Sequence, residues 1–296
     1  MMSNKTKIAM VMAIFLWASA FVAIRAGLRV YSPEGLALLR YLIASACMAV
    51  IYYRLPQKSL LRIRDVVALL SIGGVGIGIY NLTLNYGELS ISSGMTSFIT
   101  SQSPIITTIF AVVFFGEKIN LLRCLGFTIS IGGVVLIAFG EIGSLKWDMG
   151  MTYVLLATLA AGCYSILQKP FLKKCHAIEA TTYVIWGGTL FLAIYTPQLQ
   201  HDLLTASLNA TLTVIYLGVF PAAIGYLAWS YVLADIPASK AVSFLYFMPF
   251  VATLLGWLCL GEVPVWLSLV GGILAICGIW LINQSYLPIK MKANHE

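Results

Sequence analysis

Apolar residues dominate ten successive stretches of the chain, at approximately 7–28, 33–53, 65–88, 93–115, 121–140, 149–171, 178–196, 210–234, 239–260 and 265–285. Each comes close to the ~20 residues that a helix, rising 1.5 Å per residue, needs to cross a hydrocarbon core about 30 Å thick. Polar and helix-breaking residues collect between them, as in Arg54-Leu55-Pro56-Gln57-Lys58 and Gly116-Glu117-Lys118. The pattern predicts an all-α integral membrane protein of ten transmembrane helices, with no segment long enough for a soluble domain. Residues 3–20 imitate a secretory leader, with Lys5 and Lys7 before an apolar run that reaches Ala18-Ser19-Ala20. The run continues through Ile24, so this segment is expected to remain as the first span.

Composition strengthens that reading. Of 296 residues, 60% are hydrophobic and 10% charged, against about 25% charged in an ordinary soluble domain. Too few charged side chains are present to cover a water-facing exterior, so lipid must serve as much of the solvent. The net charge of +7 is scattered through short loops and builds no nucleic-acid face. With the N-terminus cytoplasmic, that side would hold fourteen Lys and Arg residues and the other only Arg25, Arg29 and Lys146. The asymmetry predicts both termini inside, in the inner (plasma) membrane. The six cysteines all fall in or beside apolar runs without a CxxC pair and are read as packing residues.

A shift of 145 residues superposes the chain on itself. Pro104 falls on Pro249, Thr108 on Thr253, Gly116-Glu117 on Gly261-Glu262, Gly126 on Gly271, Gly133 on Gly278, Glu34 on Glu179 and Tyr86 on Tyr231. Residues 1–145 and 146–296 are therefore read as two five-helix repeats. Because five is odd, the second copy must lie inverted in the membrane relative to the first. Secondary transporters use such inverted repeats to open a midplane site to each side in turn.

The stretch Leu16-Trp17-Ala18-Ser19-Ala20-Phe21-Val22-Ala23-Ile24-Arg25, Pro33 followed by Leu39-Arg40-Tyr41-Leu42-Ile43-Ala44, and the paired Pro104 to Glu117 and Pro249 to Glu262 segments resemble the EamA-type family of the drug/metabolite transporter superfamily. The resemblance covers essentially the whole chain. It implies an exporter or exchanger of amino acids or related metabolites, in which helices 1, 3, 4, 6, 8 and 9 surround a central cavity and helices 5 and 10 pack peripherally. The sequence names no particular substrate.

Polar groups at membrane depth single out the candidate substrate contacts. Arg40 lies seven residues beyond Pro33, about 10 Å into the bilayer from the outer face. It either offers its guanidinium to a substrate carboxylate or pairs internally, with a carbonyl, Glu34 or Glu88, or snorkels outward. Tyr80, Asn81 and Asn85 on the third span and Ser101 and Gln102 on the fourth form a polar group beside Pro104, where the missing N–H loosens the helix. Trp17 from the first span and Tyr164, Tyr226, Trp229 and Tyr246 from the second half add an aromatic wall. Each of these has an ordinary alternative, in interhelical hydrogen bonding or core packing. Pro104, Pro249, Glu117 and Glu262 are assigned to gating or hinge roles.

No GxxxxGK[ST] loop is present, so the chain is not expected to hydrolyse ATP itself. Acidic residues sit near span ends, with no mid-membrane carboxylate relay. HExxH and GxSxG are absent and the three histidines lie at span ends or in the tail, which argues against an intramembrane enzyme. No catalytic residue, metal or cofactor is expected. The partners are the lipid bilayer and a small molecule, without nucleic acid, in a monomer or homodimer. A channel-like permease and a non-transporting scaffold remain as rival readings.

Overall fold

The computed structural model describes residues 2–115, 120–142, 149–261, 263 and 265–284. Among these every regular element is helical. The first half comprises α1 (Asn4–Gly27), α2 (Pro33–Tyr53), α3 (Ile63–Gly73), a π-helical segment Gly74–Ile79, α4 (Tyr80–Gly87), α5 (Ser93–Thr100), α6 (Ser103–Phe115) and α7 (Leu121–Ile142). The second comprises α8 (Met149–Leu167), α9 (Ala177–Leu192), α10 (Thr196–Thr205), α11 (Leu208–Leu217), a π-helical segment Gly218–Gly225, α12 (Tyr226–Asp235), α13 (Ala238–Ser243), a 3₁₀ turn Phe244–Phe247, α14 (Met248–Leu260) and α15 (Trp266–Gln284). Among the described residues seven helical stretches are long and apolar enough to cross a membrane: Asn4–Gly27, Pro33–Tyr53, Ile63–Gly87, Met149–Lys173, Ala177–Thr205, Leu208–Asp235 and Lys240–Leu260.

The span read at 93–115, with its helix loosened beside Pro104, is two helices, α5 and α6, separated at Ser101 and Gln102. The cause is local. Pro104 cannot donate to the carbonyl one turn back, and Ser97, Thr100 and Ser101 turn their hydroxyls onto the Gly94, Thr96, Ser97 and Phe98 carbonyls.

Helix starts follow sequence chemistry. Ser3, Ser32, Ser92 and Ser207 each accept a hydrogen bond from the backbone N–H three residues on. Outward faces are apolar, with Leu190 66% and Trp280 61% exposed, while Asn81, Ser97, Thr181 and Ser230 are buried. Apolar residues outside and hydroxyls and amides inside is the arrangement a lipid solvent selects.

Helices α2 and α9 run antiparallel along their length. Asp202, following α9, accepts from the Ser32 N–H and hydroxyl before α2, at 2.9 and 2.6 Å. Further along, Ser45 meets Thr189 at 2.7 Å and Tyr52 meets Tyr183 at 3.0 Å. At the far end Glu179, in the first turn of α9, accepts from the Ser59 N–H and hydroxyl at 2.8 and 2.6 Å. Helices α7 and α15 cross antiparallel in the same way, Gly126 facing Gly278 and Ile282, and Gly278 facing Ser130.

Two further crossings exclude any side chain. A Cβ on Gly73 would lie 1.9 Å from the Val184 carbonyl oxygen of α9, and one on Gly218 would lie 2.8 Å from the Arg40 carbonyl oxygen of α2. Gly73 and Gly218 are 145 positions apart, the offset of the sequence repeat.

Candidate functional site

A cavity of about 60 Å³ lies where α1, α2, the first π segment with α4, the α5–α6 break, α8, α12 and the Phe244–Met248 turn converge. It is small beside the roughly 300 Å³ or more of a typical ligand pocket.

The elements around it are irregular, and each irregularity has a cause in the sequence. Gly74, Gly76 and Gly78 lie in the first π segment, where glycine gives the backbone latitude and Gly76 leaves room for the Tyr164 ring. Pro221 lies in the second and cannot supply a ladder N–H. Both segments give a carbonyl to a side chain at the site. Ile77 accepts from the Asn81 amide at 2.9 Å, and Pro221 accepts from the Trp17 indole N–H at 3.1 Å.

Arg40 is 3% exposed and lines the cavity. Its Nη1 donates to Asn81 Oδ1 at 2.9 Å, and its Cζ lies 5.3 Å from the centre of the Tyr41 ring. Asn81 is held in turn, because its Nδ2 donates to the Tyr41 hydroxyl at 2.8 Å as well as to Ile77. That pattern permits only one orientation of the amide, with the oxygen toward the arginine. Arg40 therefore neither snorkels nor pairs with Glu34, whose carboxylate accepts from the Tyr86 hydroxyl.

The aromatic wall centres on Tyr226, with ring centroids at 5.2 Å from Trp17, 5.7 Å from Tyr164 and 6.4 Å from Tyr41, all edge-on. Of the residues singled out from the sequence, Trp17, Arg40, Tyr80, Ser101, Tyr164 and Tyr226 line the cavity. Asn81 stands one layer behind, gripping Arg40. Asn85 is tied to the Pro33 carbonyl at 2.8 Å, and Gln102 Nε2 lies 3.4 Å from the Phe98 carbonyl. Trp229 is fully buried behind Trp17 at 5.3 Å, and Tyr246 packs with Ile282 away from the cavity. Pro249 enters at the first turn of α14, and Pro104 falls at the first turn of α6. Glu117, Glu262 and the Pro104 side chain lie outside the described residues. Lining residues the sequence reading did not select include Phe21, one turn beyond Trp17, Ser165 beside Tyr164, and Met248 beside Pro249; adjacency to a selected residue is the signal each carried.

The ends of this assembly are tied by two cations. Arg25, near the end of α1, donates through Nη1 to the Glu88 and Ile91 carbonyls just past α4, both at 2.7 Å. Lys169, just past α8, donates through Nζ to the Leu233 and Ile236 carbonyls at the end of α12. The opposite end of α1 from Arg25 is bonded to this second region through Thr6 and Asp235, at 2.5 Å. The two ties therefore lie at opposite ends of the helix bundle.

The profile of the EamA-like transporter family matches residues 4–139 and again residues 148–284. The chain belongs to the EamA-like transporter family. It is a multi-pass membrane protein of that family, similar to proteins named as transporters. It is 39% identical over 267 residues to the uncharacterized transporter YdfC of Bacillus subtilis (strain 168), covering 90% of this chain and 87% of that one. It is 34% identical over 291 residues to a protein of Streptantibioticus cattleyicolor named a probable terminal-alkyne amino-acid exporter, covering 98% and 97%. A solved crystal structure superposes with a TM-score of 0.74 over 96% of this EamA-like chain and 98% of its own, at 15% identity, a likeness of fold.

Proposed function

We propose that the chain is a secondary transporter, an exporter or exchanger of small metabolites, foremost amino acids or related compounds, that works by alternating access. Ten spans form two five-helix halves of opposite orientation, 1–145 and 146–296, with both termini cytoplasmic in the inner membrane. The carrying observation is that the irregularities around the cavity come in pairs: π segments at Gly74–Ile79 and Gly218–Gly225, and helix breaks at Ser101–Gln102 and Phe244–Phe247. Both pairs match the 145-residue offset to within a residue or two. Broken helices at a repeat interface are where transporters of this architecture bind their cargo.

The antiparallel crossings of α2 with α9 and α7 with α15 support an inversion axis between the halves, as does the double match of the family profile. The printed name of the Streptantibioticus relative supports amino acids as the first class to test. Trp17, Arg40, Tyr80, Ser101, Tyr164 and Tyr226 contact substrate in this reading, with Asn81 holding Arg40. Asn85, Gln102, Trp229 and Tyr246 support the wall from behind, and Pro104 and Pro249 act as hinges beside the breaks.

A cavity of only about 60 Å³ suits a carrier between its two open states better than a pore. The test is counterflow in proteoliposomes preloaded with a panel of unlabelled amino acids and nucleobases. Transient accumulation of trace labelled solute of one class supports the proposal. No accumulation across the panel, or flux that does not saturate, overturns it.

A further inference from the structure

Arg40 is a buried cation outside any ion pair among the described residues. Its bonds are to a neutral amide and a tyrosine ring, and Nε has no hydrogen-bond partner. Ionised side chains at membrane depth are costly and are found paired. The cavity supplies no partner either, since no Asp or Glu stands among its lining residues and Arg40 is the one cation there. Arg40 lines a space otherwise walled by residues such as Trp17, Tyr164, Tyr226, Met248, Thr100 and Ser101.

Resting on the carrier reading above, we infer that the site takes a small monocarboxylate with an apolar or aromatic tail, that Arg40 receives the carboxylate, and that an α-amino group is dispensable. A guanidinium fork matches the two carboxylate oxygens. The edge-on rings match an apolar or π-bearing tail. An ammonium would meet no carboxylate, because no Asp or Glu lines the cavity, whose Thr100 and Ser101 hydroxyls donate back to the Thr96 and Phe98 carbonyls. The single lining cation sets the charge at one carboxylate. Asn81 is the positioning residue, and its uncharged amide leaves the arginine's charge unneutralised until substrate arrives.

The test is thermal unfolding of the purified full chain in detergent, with phenylacetate, hexanoate, phenylalanine, phenylacetamide and phenethylamine as probes. Ligands that bind the folded state raise the midpoint as their concentration passes Kd. The two carboxylates and phenylalanine should stabilise the wild type, and the amide and amine, which share the ring but lack the anion, should bind at least tenfold more weakly. Arg40→Gln should lose the carboxylate preference. Asn81→Asp places an internal carboxylate against Nη1 and, in the protein that folds, should bind phenylacetate at least tenfold more weakly. Equal stabilisation by phenylacetate and phenylacetamide, full phenylacetate affinity in a folded Asn81→Asp protein, or no stabilisation by any probe overturns the assignment. Binding is read here without flux, so carboxylate selectivity in a protein that fails counterflow would uphold the site and sink the carrier reading. Counterflow indifferent to the carboxylate would do the reverse.

Discussion

Arg25 and Lys169 hold equivalent backbone groups at opposite ends of the bundle: the first caps the carbonyls of Glu88 and Ile91, the second those of Leu233 and Ile236, and the acceptors stand 145 positions apart in each case. The last carbonyls of a helix have no partner within it, and a cation there meets both the hydrogen-bonding need and the dipole. Each cation also joins the first helix of its half to the third. In the proposed carrier these are helices that separate to admit substrate, and a cation ties them at each end.

Removing either tie orphans two carbonyls. Arg25→Gln and Lys169→Gln should each destabilise the protein by roughly 1.5–3 kcal/mol, the range for charge-assisted hydrogen bonds. Their effects should add, since the two sites lie at opposite ends of the bundle. Thermal unfolding of the two single variants and the double variant checks this.

The glycine crossings offer a sharper contrast. Gly73→Ala and Gly218→Ala press a methyl group onto backbone of the opposite half and should each cost about 1–3 kcal/mol, as overpacking does. Gly132 in α7 has nothing within 4 Å of its would-be Cβ, so Gly132→Ala should be neutral or stabilising by up to about 1 kcal/mol. Unfolding midpoints in one detergent rank the three.

The indole of Trp17 bonds the Pro221 carbonyl and packs on Tyr226. Trp17→Phe keeps an aromatic ring and loses the bond, which should cost about 0.5–1.5 kcal/mol. Because that carbonyl belongs to the second π segment, counterflow should slow in Trp17→Phe more than the stability loss alone accounts for. Initial rates normalised to folded protein measure it.

Cys175 lies between two spanning helices, 9% exposed. Burial, with the Glu179 carboxylate nearby, pushes its thiol up to about 11. The thiolate is the reactive form, so at pH 8 about one part in a thousand is available and maleimide labelling should be slow. Labelling should speed up about tenfold per pH unit between pH 8 and 10, and Glu179→Gln should raise the rate at pH 8.

Much of the fold is readable in the chain because bilayer thickness and helix rise leave few alternatives for an apolar run of twenty residues. The serine caps before α1, α2, α5 and α11 are equally legible, since capping is local chemistry. The π segments are not: the residues flanking them keep ordinary helical backbone angles, and Gly74, Gly76 and Gly78 suggest close packing or bending as readily as a wider turn. The site was legible as a set of spans more than as a set of side chains. Trp17 and Trp229 look alike in sequence, yet one lines the cavity and the other is buried behind it, because helix rotation is set by packing between distant segments. Arg40 stood out for its charge at depth; that its partner is Asn81 depended on how α2 docks against α4.

The proposed carrier opens one cavity to each side in turn as the two ends release. The most direct measurement of that opening is the labelling of Ser101→Cys, a lining position, by a membrane-impermeant maleimide applied from the outer or the inner side, with the six native cysteines replaced by alanine. Arg25→Gln should raise labelling from outside and lower it from inside, and Lys169→Gln should do the opposite. Labelling from both sides at once in either variant, or the same change in both, would contradict alternating access and leave a pore or a static scaffold in its place.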